Sequence, residues 1–293
     1  MNITNKYDLP QALVDLIKES RFKHTEKHYS VTTILNPTRS ILLNRRHFDE
    51  ITIDVSSCVN QLLGTATHSL LEKFDKTGNA EIYLKEEIID GYFLTGKCDL
   101  YNEETFSLED YKTANVWKIK FQDFEDWRMQ GLMYAWLLRR QGKYVKYLKF
   151  HAILKDWTAR ELRLAKMKCE WYPESQVWTW KYEISEYDMK EIEYFIYEKF
   201  GEIQIAEMLN DDDFPDCGKK DTWYTGDKFA VYKDDKSAKA VRVLDTEEEA
   251  QDYIANKMNG KGVIQYRKGE YRRCQDYCEC CHFCKYYQER KPE

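Results

Sequence analysis

Two short stretches of the chain carry residues able to do chemistry together: Gly96-Lys97-Cys98-Asp99 and, after a short loop, Leu108-Glu109-Asp110-Tyr111-Lys112-Thr113. Both lie in segments with the texture of β-strands. Side chains alternate along a strand, so Asp110 and Lys112 share a face while Glu109 and Tyr111 point the other way. The connecting loop is short enough for the strands to pair, which brings Asp99 beside Asp110. Neighbouring carboxylates repel unless a cation lies between them, and hard oxygen ligands select magnesium or manganese. A lysine two residues along can orient or help deprotonate an attacking water and offset charge on a phosphate. The combination suits phosphodiester hydrolysis, although an isolated Asp-x-Lys is more often an ordinary charged strand face.

Sulfur is the second candidate chemistry. Five of the nine cysteines, Cys274, Cys278, Cys280, Cys281 and Cys284, crowd into residues 274–284. Such numbers in a small secreted chain would mean disulfides. Here the N-terminal MNITNKYDLP lacks the order of a signal peptide, and no apolar run approaches the ~18 residues of a membrane span. The expectation is a soluble, cytoplasmic protein with no membrane partner, whose tail ligates a metal or cluster. Cys98 and Cys169 stand alone and read as packing residues.

Regular elements must hold these residues. Asn36-Pro37 opens a short basic helix through Arg39, Arg45 and Arg46. Asp54 caps a longer helix over residues 55–74, where Val59, Leu62, Leu63, Ala66, Leu70 and Phe74 recur at spacings of three and four and His68 falls in the second half. Residues 82–113 read as antiparallel strands broken by Asp90-Gly91 and by Asn102-Glu103-Glu104. A helix over 124–140 stops before Gly142, and strands follow at 145–154 and 177–183. Residues 185–209 form a helix with Met189, Ile192, Ile196, Phe200 and Ile203 as its buried stripe, ended by Asp211-Asp212-Asp213 and Pro215. Beyond it lie strands at 229–232, 240–244 and 263–266 and a helix at 246–257. The order predicts an α/β (α+β) fold: a mixed central sheet flanked by helices in residues 1–210, with a small C-terminal α+β appendage in residues 211–293.

With 43% hydrophobic and 15% aromatic residues, 293 residues can bury a sizeable core, which excludes disorder. A net charge of −6 leaves no chain-wide basic footprint, so any nucleic acid must meet local patches. Residues 257–273 supply the richest patch, Lys257, Lys261, Arg267, Lys268, Arg272 and Arg273 against Glu270. Arg39, Arg45 and Arg46 form a second. Trp127, Trp157 and Trp223 are candidates for stacking on single-strand bases, with packing the commoner role.

Four motifs in order, Gly64-Thr-Ala-Thr-His68, Gly96-x-x-Asp99, Asp110-Tyr-Lys112 and Gln130-x-x-x-Tyr134, resemble the RecB-like branch of the PD-(D/E)XK nucleases. More narrowly, residues from about 30 to 284 resemble phage-encoded nucleases related to CRISPR-associated exonucleases. The resemblance implies a restriction-endonuclease-like core. It places His68, Asp99, Asp110 and the Tyr111 carbonyl around a magnesium or manganese ion, with Lys112 as the catalytic lysine. It also implies that Gln130 and Tyr134, one helical turn apart, support the site or touch DNA. Glu72, a turn beyond His68, is an acid near that site or simply a surface one.

Cys274-x3-Cys278-x5-Cys284 resembles the three-cysteine tail that holds a 4Fe-4S cluster with a fourth, upstream cysteine in iron-sulfur members of the branch. Cys58, about 15 Å from His68 along its helix at ~1.5 Å per residue, is one candidate for the fourth ligand. Cys217, in a Pro-x-Cys loop, is preferred, although the family's first cysteine precedes the histidine motif. A zinc site within residues 274–284 and unliganded thiols are the alternatives.

What the resemblance implies is a metal-dependent DNA exonuclease in phage recombination, repair or replication, working on linear ends, with a recombination or single-strand-binding protein as a potential partner. The rivals are a structure-specific endonuclease using the same site and a non-catalytic DNA-end or protein-binding module.

Overall fold

The computed structural model describes residues 1–21, 25–74 and 80–291. The chain divides into two compact units, Met1–Met208 and Leu209–Glu293. In chain order the first holds β1 (Asn2–Thr4), α1 (Gln11–Ser20), β2 (His28–Ser30), α2 (Val31–Ile34), α3 (Thr38–Arg46), β3 (Thr52–Asp54), α4 (Val59–Phe74), β4 (Ala80–Ile89), β5 (Tyr92–Asn102) and β6 (Ser107–Ala114). It continues with α5 (Val116–Lys120), α6 (Glu125–Arg140), β7 (Tyr147–Leu154), α7 (Ala159–Lys168), β8 (Val177–Glu183) and α8 (Glu186–Ala206).

The architecture is mixed α/β, with helices on a six-stranded mixed sheet. β4 and β5 form a hairpin whose Asp90 (φ 35°) and Gly91 (φ 81°) both take the positive φ of a type I′ turn. The other edge of β5 is shared. β2 pairs parallel with Phe93–Thr95, and β6 pairs antiparallel through Ser107–Glu109 with Leu100–Asn102. Beyond Glu109, β6 runs parallel to β7 alone, and β8 closes the sheet antiparallel to β7. The sheet therefore forks between residues 96–99 of β5 and residues 110–114 of β6. Strand alternation slips at the same place, since Cys98 (1% exposed) and Tyr101 (3%) are both buried. Asp99 sits in the slip.

α6 covers one face of the sheet. A Cβ on Gly131 would fall 2.8 Å from Leu148 and 2.9 Å from Phe150, and one on Gly96 would fall 2.5 Å from the Tyr134 ring. Two motif elements, Gly96 and Tyr134, are thus one packing contact. α8 starts from a capping box of Ser185 and Asp188 and buries Met189, Ile192, Ile196, Phe200 and Ile203.

α4 crosses over the other face, with Gly64 near the Thr113 hydroxyl. Its apolar stripe does not face inward as the spacing suggests. Val59, Leu63, Leu70 and Phe74 are 40%, 50%, 58% and 78% exposed, and only Leu62 is buried. Gly64, Thr67, His68 and Leu71 are the half-buried positions instead. A helix that must approach the sheet through a glycine and present a histidine to Asp99 turns its small, polar side inward. Cys169 also departs from its expected packing role: it is exposed, in the left-handed region at the end of α7 (φ 54°). α1, α5 and α7 have no counterpart among the expected elements, although α1 is amphipathic and buries Val14 and Ile17.

The second unit contains β9 (Lys228–Tyr232), β10 (Arg242–Leu244), α9 (Glu247–Lys257), β11 (Val263–Arg267), α10 (Arg272–Asp276) and α11 (Lys285–Gln288). Its antiparallel sheet has the order β10-β9-β11. Thr246 caps α9 through the Glu249 N–H.

Candidate active site

The fork in the sheet is where the acidic residues gather. With no β5 partner beside it, the Tyr111 N–H donates to Asp99 Oδ2 at 2.8 Å, and the other oxygen of Asp99 lies 3.1 Å from His68 Nδ1. His68, Glu81 and Asp99 each offer a ligand atom, all within 4.8 Å of one another, an arrangement able to hold a metal ion. Glu81 also pairs with Lys97. Its backbone is in the left-handed region (φ 55°), a strained conformation for a non-glycine residue and one that clusters at functional sites.

Glu81 was not singled out from the sequence, and hairpin register explains why. An undistorted hairpin built on the Ile89–Tyr92 pair would set Glu81 opposite Leu100. The register shifts between Glu87 and Ile89, so that Ile82 faces Cys98 and Glu81 comes level with Asp99. A β-bulge of this kind leaves no composition signal.

Asp110 and Lys112 stand on the adjoining strand, on the α6 side. Lys112 Nζ lies 2.7 Å from Asp110 Oδ2 and donates to Gln130 Oε1 at 2.8 Å. The Asp110 side chain is 6% exposed, and its Oδ2, though beside the ammonium, makes no well-aligned hydrogen bond. Tyr134 is buried above Gly96 with Gln130 beside its hydroxyl. Burial pushes the Asp110 carboxyl up to about 6, with Lys112 opposing and Asp99 reinforcing the shift. His68 is raised above the ordinary imidazole value by its hydrogen bond with Asp99.

This donor set fits a hard divalent cation: two carboxylates and an imidazole converge, and a third carboxylate nearby is enclosed and incompletely satisfied. Such a cation would offset the burial, and the neighbouring Asp99 charge, that together raise Asp110. The Glu72 side chain lies outside the described residues.

Other sequence-predicted residues have different surroundings. Arg45 lies over the Tyr29 ring, 3.7 Å from its centroid, and donates to the His28 carbonyl, while Arg46 donates to the Glu207 carbonyl at 2.8 Å. Their guanidinium groups are engaged within the fold. Arg267 donates to the Tyr232 hydroxyl at 2.6 Å, Arg272 lies 3.6 Å from Glu270, and Arg273 donates to the Asp221 carbonyl at 3.2 Å. Lys268 is exposed. Trp127 is core and Trp157 donates to the Pro173 carbonyl at 2.8 Å, whereas Trp223 is half exposed beside Tyr277.

Within the second unit, Cys217 lies among tail thiols distant in sequence. Burial, then Cys284, Cys274 and Cys278, pushes its thiol up to about 12. Cys274 is likewise pushed to about 12 by burial and by Cys278, Cys284 and Cys281. Converging thiols that resist ionisation next to one another suit a soft cation or cluster, which would stabilise all the thiolates at once. Cys280 also approaches, its sulfur 3.5 Å from that of Cys278. Cys58, in the first unit, is buried with the Arg21 guanidinium 3.5 Å from its sulfur.

No known family model matches the chain, and no curated protein does. Among solved structures it is similar to a protein described as SSO0001, with 16% identity and a TM-score of 0.46 over 65% of this chain and 84% of that one. It is also similar to a phage related exonuclease from Haemophilus somnus 129PT, with 13% identity and a TM-score of 0.29 over 68% of this chain and 83% of that one.

Proposed function

We propose that the chain is a magnesium- or manganese-dependent deoxyribonuclease. The observation that carries this reading is the convergence of His68, Glu81 and Asp99 within 4.8 Å at the forked edge of the sheet, beside the buried Asp110–Lys112 pair. His68, Glu81, Asp99 and Asp110 would hold the cation, and the Tyr111 carbonyl is a further donor on the motif resemblance. When bound, a divalent cation supplies Lewis acidity toward a phosphodiester. Lys112, held by Gln130, keeps a positive charge where the phosphate gains negative charge. Tyr134, packed on Gly96, fixes the strand that carries Asp99.

The motif resemblance favours exonuclease action on DNA ends in phage recombination, repair or replication, in the host cytoplasm. Arg267, Lys268, Arg272 and Arg273 of the second unit are proposed DNA contacts. Cys217, Cys274, Cys278 and Cys284 are proposed to hold a 4Fe-4S cluster or zinc as a structural clip for that unit.

Digestion of labelled linear single- and double-stranded DNA and of circular DNA with magnesium or manganese tests the reading. Cutting of linear DNA by wild type, lost in Asp110→Ala and Lys112→Ala, supports it. Cutting of closed circles would favour the endonuclease. Equal activity in wild type and variants, or none on any substrate, would remove the assignment.

A further inference from the structure

Away from the acidic site, the six-stranded sheet ends in β8, and the ladder it shares with β7 fixes which way its free edge faces. Ile184 N–H donates to the Lys146 carbonyl and Leu154 N–H to the Gln176 carbonyl, both at 2.9 Å. Hydrogen-bonded pairs recur at every second position of an antiparallel ladder, so the even-numbered residues of β8 bond to β7. The N–H and C=O groups of Thr179, Lys181 and Glu183 therefore point away from β7. Among the described residues no backbone group pairs with them on that side. Sheet edges are commonly guarded by projecting charges or by proline. Here Lys181 is turned back over the Tyr147 ring, 3.8 Å from its centroid, Glu183 lies 3.5 Å from Lys146, and the strand holds no proline.

On the α6 face of the same strand, Trp178 and Trp180 stack with Phe124 at 5.3 and 4.9 Å. With Trp171, which is 52% exposed, they line a groove of about 870 Å³. A second concavity of about 420 Å³ shares Trp171 and Trp178. The buried rings of Trp127 and Phe150 stand between the groove and the acidic site. Side chains of a strand added to β8 would alternate faces in step with it, so every second one would enter the groove beside the indoles. Charge narrows the choice of side chain. Glu125 is held by Arg128 at 2.9 Å and Lys166 by Glu174 at 2.8 Å. The rest of the charged lining is Asp123 and Glu170 against Lys120, with no ion pair among the described residues. An arginine stacked on an exposed indole and facing carboxylates is a favourable pairing. A second copy of the chain supplies no such group from β8, since its own Trp178 and Trp180 are committed to the Phe124 stack.

We infer that β8 is a docking edge for an extended segment of another protein, which adds to the sheet as an antiparallel strand and sets bulky apolar residues and an arginine, at alternate positions, in the groove. Main-chain hydrogen bonds to Thr179, Lys181 and Glu183 supply affinity, and the groove supplies specificity. The edge needs neither DNA nor a metal, so it stands or falls apart from the nuclease reading.

The probe is a fluorescein-labelled heptapeptide alternating threonine with phenylalanine, arginine and phenylalanine, followed by anisotropy with the full chain and no DNA or metal. Saturable binding to wild type is expected. Trp171→Ala, at a largely exposed position, should weaken it by about 5- to 30-fold, the range of one interface anchor. Thr179→Pro removes an outward N–H where an edge strand tolerates proline, and should weaken it likewise. Circular dichroism checks that both variants fold. Glutamate in place of the peptide's arginine should cost at least about tenfold. N-methylation at the threonines, whose N–H groups would face β8, should abolish binding, and at the phenylalanines should not. No binding to wild type, equal binding to Trp171→Ala, or binding that survives threonine N-methylation would overturn the docking edge. A dimer in sedimentation velocity that Thr179→Pro dissociates would overturn it too, and would give the edge to a second copy.

Discussion

Adjacent residues on β6 carry acids to opposite faces of the sheet, and their surroundings could hardly differ more. Glu109 accepts hydrogen bonds from Ser107 Oγ at 2.8 Å, Lys149 Nζ at 2.7 Å and His151 Nε2 at 3.2 Å. These partners, led by His151, hold its carboxyl at about 2. Asp110 is enclosed beside Lys112, lacks a well-aligned hydrogen bond at Oδ2, and is pushed up to about 6 by burial. Glu109 is a completed structural acid. Asp110 is enclosed in surroundings that a cation would relieve.

Activity should divide the two faces most sharply. Asp110→Ala and Lys112→Ala are expected to lower DNA hydrolysis by roughly 10²–10³-fold or more. Glu109→Gln should stay within a few-fold of wild type in the same assay. Stability should divide them with opposite signs. Glu109→Gln removes a satisfied charge and should cost about 1–3 kcal/mol in denaturant unfolding. Asp110→Asn should raise the thermal midpoint of chelator-treated protein at neutral pH, because the ionised form it replaces is disfavoured by folding.

The pH dependences follow from the same shifts. Glu109 is depressed in the folded protein, so its contribution is complete above the ordinary carboxylate range and fades as pH falls toward about 2. The Glu109→Gln penalty should shrink over that interval. Asp110 is raised, so its ionisation costs stability as pH climbs through the ordinary range to about 6. A proton and a cation compete for this carboxylate. Cation affinity should therefore fall about tenfold per pH unit below that value, read by calorimetric titration.

Much of the fold was legible because its cues are local. Asp90-Gly91 marks a type I′ turn, Ser185 begins the α8 capping box, and period-two alternation parts Glu109 from Asp110. Glu81 was hidden by a register shift, and the inward side of α4 was hidden because Gly64 and His68, not the apolar stripe, meet the sheet. Nor could spacing show that Asp110, Phe150 and Trp180 form one row, since that depends on long-range pairing.

A smaller effect separates the second unit. Cys217→Ser should reduce bound zinc or iron per chain and lower the thermal midpoint, with the acidic-site residues untouched. Metal analysis and visible absorbance of anaerobically purified protein check this, and a metal-free, colourless yet stable wild type would exclude the centre.

The most direct measurement is manganese binding, followed by the electron paramagnetic resonance of the free ion, in wild type, Asp99→Asn, Asp110→Asn and Glu109→Gln at pH 8. Binding in wild type and Glu109→Gln, abolished or strongly weakened in Asp99→Asn and Asp110→Asn, is the expected result. No binding to wild type, or equal binding to all four proteins, would contradict a cation site at the fork of the sheet.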